Sequence, residues 1–236
     1  MKRIIIALGL VFIGVAANAE ILEMGSDITM ANFWQRNGKE QQKIIEVGTK
    51  IVNLNKLDKR VPFILARTPN DVNAYSYRIN KHVVISSGLL PYLDNDDELA
   101  AVMSHEIAHA LDFYVGPMRW VEMKLNSKQY EYKADLVGID LMVKAGYNPV
   151  AAITMANKWQ PESSFDFGIF TSHPKTSKRI FAMYKYIYKK YPWALDSDMV
   201  KNVNYQNFLN SSARDIDEFK LQERQKMLEN KGVERL

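Results

Sequence analysis

A chain of 236 residues with 47% hydrophobic content can bury one sizeable core, which excludes a disordered protein as the starting interpretation. The absence of cysteine excludes disulfide frameworks, cysteine nucleophiles, thiolate metal sites and a lipidated cysteine anchor. A formal net charge of +4, with no basic stripe interleaved with aromatic residues, predicts no nucleic-acid partner.

The N-terminal segment predicts export. Lys2 and Arg3 precede an apolar run from Ile4 to Val15, and Ala17-Asn18-Ala19 is a small-residue cleavage site. The run is shorter than the roughly 20 residues that cross a bilayer, which favours a cleaved signal over an uncleaved anchor. We therefore predict a signal peptide over residues 1–19, a periplasmic or secreted protein, and no transmembrane segment in the mature chain.

The next elements predict one helix followed by a small sheet. Apolar residues at helical spacing from Asn32 to Leu57 indicate an amphipathic helix that ends near Asn55. Three β-type runs follow, separated by turn-rich segments, and they predict a small mixed sheet that is antiparallel in part. These runs are Pro62 to Ala66, Ala74 to Tyr77 and His82 to Ser86.

The remainder of the chain is predicted to be helical. The acidic cluster Asp94 to Glu98 favours the positive end of a helix, which we expect to run to about Tyr114. A second helix is expected from about Ser127 to Ala145, closed by Gly146 as its C-cap. Further helices are predicted over Pro149 to Trp159 and Thr176 to Lys190, before a charged tail over 196–236 that is helical or partly mobile.

The helix that follows the acidic cluster contains His105-Glu106-Ile107-Ala108-His109. Two histidines four residues apart are separated by about 40° around a helix, so both imidazoles can reach one metal ion, and zinc suits that pair. Glu106 lies beside the same face, where a carboxylate can take a proton from water and return it to a departing amine. The competing interpretation is two partly exposed histidines on an ordinary helix.

A catalytic zinc site needs a third protein ligand and an open fourth position. Glu131 and Asp135 lie four residues apart on the second predicted helix, so Glu131 can bind the metal while Asp135 braces a ligand histidine. Glu122 and Asp140 are the alternative ligands. Without the histidine motif, the same acidic residues would be interpreted as a solvated helix face.

These residues resemble a known family. Three motifs are similar to those of the gluzincin peptidases: His105 to His109, Glu131-x-x-Ala134-Asp135, and Ala145 to Pro149. That family includes the CAAX prenyl proteases, heat-shock protein X and a soluble bacterial periplasmic branch. Asn73-Ala74-Tyr75 also resembles the family's Asn-Ala-aromatic strand, and Ser172-His173-Pro174 with Arg179 resembles its segment ending in arginine. The resemblance covers roughly residues 40 to 190.

The resemblance implies an α+β zincin-like fold, mostly helical, with the small mixed sheet beside the HExxH helix. It implies one Zn²⁺ per chain with His105, His109 and Glu131 as ligands, and Glu106 as general base. It also places His173 and Arg179 near the site, where they would assist substrate or transition-state charge. The connection between His109 and Glu131 is shorter than in many relatives, so we carry over the ligands but not the loop above the cleft.

We predict a zinc metalloendopeptidase over residues 20–195 with a C-terminal extension over 196–236. The edge strand holding Asn73 and Ala74 is expected to bind an extended, unfolded or exposed polypeptide. The family resemblance implies a role in envelope protein quality control. One alternative is a zinc-binding, chaperone-like or adaptor protein with little turnover, and another is a helical structural protein without metal.

Two further hypotheses concern the regions around the site. A ring nitrogen of His173 is hypothesised to occupy the open zinc position in a resting state. The segment from Tyr184 to Trp193 is open to two interpretations, peripheral membrane contact or a packed helix whose lysines face water, and we favour the second.

Overall fold

The computed structural model describes residues 27–77, 80–112, 125–158 and 177–233. The predicted signal peptide, the alternative ligand Glu122, and His173 lie outside these described residues. The chain divides into two units, 1–42 and 43–236. The sheet, the two hydrophobic clusters and the candidate site all belong to the second unit.

The helices agree with the predictions to within a few residues at most ends. They are α1 (Asp27–Leu54), α2 (Asp96–Asp112), α3 (Ser127–Lys144), α4 (Val150–Lys158), α5 (Ser177–Lys190), α6 (Val203–Ser211) and α7 (Ala213–Val233). Gly146 has φ +81°, a left-handed conformation that suits glycine just beyond a helix end, as predicted for α3. Within the described segments, no helix combines the length and the apolar character that crossing a membrane requires.

The sheet consists of β1 (Phe63–Ala66), β2 (Ala74–Ser76) and β3 (Val83–Ser86) in the order β1-β3-β2. β3 is parallel to β1 and antiparallel to β2, which makes the sheet mixed. All four residues of β3 are buried, because this central strand is covered on both faces. The predicted α+β architecture with a small mixed sheet is confirmed, and β2 forms one edge of the sheet.

The loop before β2 is held by close backbone packing. A Cβ at Gly88 would lie 2.3 Å from the carbonyl oxygen of Asp71, so only glycine fits there. The Ser86 hydroxyl meets both the backbone N–H and the carbonyl oxygen of Asn73, each at 2.8 Å. These contacts fix where β2 begins, and hence where its residues face α2.

Two hydrophobic clusters form the core. The first joins α1, the sheet, α2 and α3 through fully buried residues such as Ile51, Ile85 and Met103. The second joins α3, α4 and α5 to the C-terminal helices, and Phe208 and Phe219 are among its buried members. The inner faces of α6 and α7 thus pack in the core, although the predicted boundary between residues 195 and 196 remains a prediction.

The start of α2 is anchored by a fully buried carboxylate. Glu98 accepts a hydrogen bond from the backbone N–H of Asp94 at 2.8 Å and forms an ion pair with Lys158 at 2.7 Å. Asn95 in turn accepts the backbone N–H of Glu98 at 3.0 Å, as a helix cap does. The orientation of α2, which carries the histidine motif, is therefore set by polar contacts at its N-terminus as well as by its apolar face.

Candidate metal centre

α2 and α3 bring three candidate ligand side chains to one point. The Nε2 atoms of His105 and His109 are 3.2 Å apart. Glu131 from α3 places Oε1 3.2 Å from Nε2 of His109, and Oε2 3.4 Å from Nε2 of His105. His109 and Glu131 are buried, while His105 is partly exposed to the cleft.

These separations fit a small tetrahedral cation. Zinc binds nitrogen and oxygen at about 2.0–2.2 Å, which sets neighbouring ligand atoms of a tetrahedron about 3.3–3.5 Å apart. The 3.2 Å separation of the two histidine nitrogens lies close to that value, and each of these nitrogens has one oxygen of Glu131 at 3.2 or 3.4 Å. The donor set is also chemically appropriate, because imidazole nitrogen and carboxylate oxygen are both zinc ligands. Within the described part of the chain, this His-His-Glu group is the one with metal-ligand geometry.

Gly138 lets α3 approach α2 closely enough for this contact. A Cβ at this position would lie 3.1 Å from the backbone nitrogen of His105 and 3.2 Å from its Cα. Both distances are tighter than ordinary van der Waals contact, and both involve backbone atoms that cannot rotate away. The absent side chain thus sets the distance between the helix carrying the histidines and the helix carrying Glu131.

Asp135 and Arg179 surround the three candidate ligands. Asp135 Oδ1 lies 3.1 Å from Nδ1 of His105, so it can fix that ring with Nε2 facing the metal position. The guanidinium of Arg179, on α5, meets Asp135 through two nitrogens at 2.6 and 2.7 Å and Glu131 through Nη1 at 2.9 Å. Arg179 is thus bound to the two carboxylates of α3, and its predicted contact with substrate charge remains a prediction.

The protonation of the cluster follows from these contacts. Burial alone would lower the pKa of His105, but hydrogen bonds to Asp135 and Glu131 outweigh it and raise that pKa to about 10. Burial lowers the pKa of His109. Burial would raise the pKa of Asp135, but hydrogen bonds from Arg179 and His105 hold it below its ordinary value.

Glu106 has a partner that sequence reasoning missed. The Ser76 hydroxyl, on β2, lies 2.5 Å from the carbonyl oxygen of Glu106 and 2.7 Å from its Oε2. The signal was the two-residue alternation of a strand, because Ala74 and Ser76 share the face of β2 opposite to Tyr75. That pattern places Ser76 beside α2, but only after the structure has shown that β2 packs on α2.

A cleft opens beside the cluster. Asn73 and Ala74 line it together with His105 and Glu106, and their contact with substrate stays a prediction. Another wall of the cleft is formed by apolar side chains of α2, α3, α4 and α5. The residues of this wall are Val102, Ile139, Met142, Met155, Ile180 and Met183.

The alternative ligand Asp140 lies in a different environment. Its carboxylate accepts hydrogen bonds from Tyr186 at 2.8 Å, Tyr191 at 2.7 Å and Lys190 at 2.7 Å. It is not part of the His-His-Glu group, so between these two carboxylates of α3 the geometry favours Glu131. The functional roles predicted for all of these residues stay predictions, which the proposals below take up.

An α+β fold with a His-His-Glu cluster beside a sheet edge defines a zincin-like protein that can bind a metal ion. Residues 38–113 and 112–187 match Peptidase family M48, and the chain belongs to that family. The predicted family is thereby confirmed. Membership of a peptidase family supports a protease whose substrates are polypeptides.

The similarity to individual curated relatives is low. The Beta-barrel assembly-enhancing protease of Escherichia coli (strain K12) is 23% identical over 211 residues, covering 67% of this chain and 43% of that protein. The protein of the same name from Yersinia pestis is 24% identical over 204 residues, covering 65% and 41%. Mitochondrial metalloendopeptidase OMA1 of Arabidopsis thaliana is 28% identical over 136 residues, covering 46% and 28%. This chain spans less than half the length of each.

Proposed function

We propose that this protein is a zinc-dependent endopeptidase that hydrolyses peptide bonds in unfolded or exposed polypeptide segments. The observation that carries the proposal is the set of separations of 3.2–3.4 Å among side-chain atoms of His105, His109 and Glu131. Membership of Peptidase family M48 supports the same reaction class.

One zinc ion per chain would be held by His105, His109 and Glu131, and when bound it supplies Lewis-acid polarisation of the scissile carbonyl. Glu106 accepts a proton from the attacking water and delivers it to the nitrogen of the departing amine. Asp135 holds His105 with its other ring nitrogen facing the ligand position. Arg179 neutralises the charge of Glu131 and Asp135, and it lines the cleft where it can meet substrate.

The substrate class follows from the sheet edge and the cleft. An extended peptide can add to the β2 edge by main-chain hydrogen bonds, which give affinity with little dependence on sequence. The wall formed by Met142, Met155 and Met183 suits a large apolar side chain, because methionine adapts its shape to different partners. Unfolded chains expose extended backbone and apolar side chains together, whereas folded surfaces rarely do.

Localisation and physiological role belong to the same proposal. The signal-like sequence over residues 1–19 and the name of the Escherichia coli relative, Beta-barrel assembly-enhancing protease, support a periplasmic protein in envelope protein quality control.

His173 is proposed to act beside the metal. If one of its ring nitrogens occupies the open zinc position in a resting state, then His173→Ala should raise activity. Unchanged or abolished activity in His173→Ala would contradict such a brake.

The decisive experiment compares wild type with Glu106→Gln and Glu131→Gln for zinc content and for cleavage of a reduced, alkylated protein. We expect Glu106→Gln to keep zinc and lose activity by about a thousandfold or more, because the proton acceptor is gone. We expect Glu131→Gln to lose both zinc and activity. Asp140→Asn removes a carboxylate from α3, the helix that carries Glu131. This control variant should keep both zinc and activity.

Two results would contradict the proposal. Wild-type protein without zinc after purification free of chelators would support a structural protein instead. Zinc binding by wild type without cleavage of the unfolded substrate would support the zinc-binding, chaperone-like alternative.

A further inference from the structure

Ser76 makes a contact that the proposed reaction has not used. Its hydroxyl lies 2.7 Å from Oε2 of Glu106 and 2.5 Å from the carbonyl oxygen of the same residue, across 30 positions of sequence. A serine hydroxyl has one hydrogen to donate. When Glu106 is ionised, a hydrogen bond to the carboxylate is the stronger of the two, because the acceptor carries a charge.

Backbone pairing fixes the place of Ser76 in the sheet. Ser76 is paired with Val83 of β3, and the backbone N–H of the next residue, Tyr77, donates to the carbonyl oxygen of His82 at 3.0 Å. Val83 is completely buried. The hydroxyl therefore reaches α2 from one face of a strand that is paired with β3 along one edge, while the opposite edge of β2 is the one offered to a peptide.

We propose that Ser76 is the positioning residue of Glu106, an inference that rests on the proposed peptidase function. Its hydroxyl donates to Oε2 and fixes the rotation of the carboxylate, so that Oε1 is the oxygen that takes the proton from water and passes it to the amine nitrogen. The proton balance is unchanged, because Ser76 keeps its own hydrogen throughout. A peptide bound along β2 would lie on the same strand that orients the Glu106 carboxylate. Substrate binding would thereby be coupled to the alignment of Glu106.

The kinetic test uses Ser76→Ala, Ser76→Thr and the control Ser87→Ala in the zinc-loaded protein. Ser87 is a partly buried serine just beyond β3 and does not line the cleft. We expect Ser76→Ala to lower kcat about 10- to 100-fold with KM changed less than about threefold, because orientation of the base matters to the chemical step more than to binding. Ser76→Thr keeps a hydroxyl and should restore kcat to within about threefold of wild type.

A second measurement does not depend on turnover. Crystal structures of wild type and Ser76→Ala should show the Glu106 carboxylate rotated away from its wild-type position in the variant, while zinc content and the His105, His109 and Glu131 side chains stay unchanged. An unmoved carboxylate in Ser76→Ala, or a variant with wild-type kcat, would overturn the proposal. Absence of activity in wild type would refute the peptidase function alone, and the position of the Glu106 carboxylate would still decide the role of Ser76.

Discussion

Two carboxylates of α3, Asp135 and Asp140, both bind basic residues of α5, and they differ chiefly in burial. Asp135 meets Arg179 in a two-nitrogen contact in which the side chains are 6% and 7% exposed. Asp140 meets Lys190 at 2.7 Å, with side chains that are 38% and 46% exposed. The same two helices are thus joined once inside the protein and once near its surface.

Burial changes what each contact does. A buried ion pair is costly to break, because removing one partner leaves the other charge buried and uncompensated. An exposed pair contributes only about 0–1 kcal/mol to the free energy of unfolding. The buried pair also contacts His105 and Glu131, so it links the stability of the fold to the metal centre. The Asp140 contact joins the helices without reaching the site, and the predictions below use that difference.

The largest expected effect is that of Arg179→Met. Loss of the guanidinium leaves Glu131 and Asp135 facing each other in the interior, which should lower the free energy of unfolding by about 3–5 kcal/mol in metal-free protein. A bound divalent cation would replace much of the missing charge, so we expect a clearly smaller loss in saturating zinc. Urea unfolding with chelator and with zinc measures both, and equal losses in the two conditions would contradict the link between the ion pair and the metal.

Gly138→Ala is expected to have the second-largest effect on stability. The added methyl group would lie 3.1 Å from the backbone nitrogen of His105, so α2 and α3 must separate by a few tenths of an ångström. We expect a loss of about 1–3 kcal/mol in stability, together with weaker zinc binding. Gly38→Ala is the matched control, because a methyl group added to that glycine of α1 would meet nothing within 4 Å and should be neutral or slightly stabilising. Tighter zinc binding in Gly138→Ala would be inconsistent with this packing role.

The groups that contact Asp140 near the surface predict that the protein loses stability at alkaline pH. Burial and the hydrogen bond to Asp140 raise the pKa of Tyr191 from its ordinary 10.0 to about 12. The folded state then holds this proton more tightly, so the stability that it contributes below pH 10 is lost as the pH rises from about 10 to about 12. Lys190 and Tyr186, which share Asp140, also have raised pKa values and act in the same direction. Chemical unfolding at pH 9 and 11.5 should show a smaller decline for Tyr191→Phe than for wild type.

Lys190→Met should have the smallest effect. Its ion pair with Asp140 is largely solvated, so we expect a loss of about 0–1 kcal/mol that is the same with and without zinc. Parallel urea unfolding beside Arg179→Met makes the comparison direct. A zinc-dependent loss in Lys190→Met would show that the two contacts are not separate.

Local patterns predicted much of the fold, because each signal acts within a few residues. The acidic residues and Asn95 at the start of α2, and Gly146 after α3, gave helix ends close to those observed. Helical spacing also grouped the two histidines, and Glu131 with Asp135, on shared faces. The packing of α3 on α2 places Glu131 beside both histidines, and its role as a ligand stays a prediction.

What could not be predicted depends on how distant segments meet. The strand order β1-β3-β2 and the parallel pairing of β1 with β3 are set by packing on α2, and no short pattern specifies them. The contact of Ser76 with Glu106 and the double contact of Arg179 arise in the same way. The charged residues of the tail predict a helical or partly mobile segment, and they do not reveal the burial of Phe208 and Phe219.

The dispersed origin of the candidate centre has a consequence for the life of the protein. Its side chains come from β2, α2, α3 and α5, so the centre exists only after these segments have docked and Gly138 has allowed α3 to settle against α2. On the proposed function, a newly made copy cannot cut its neighbours before its own interior has formed. Maturation of the protease would thereby be timed by its own tertiary folding.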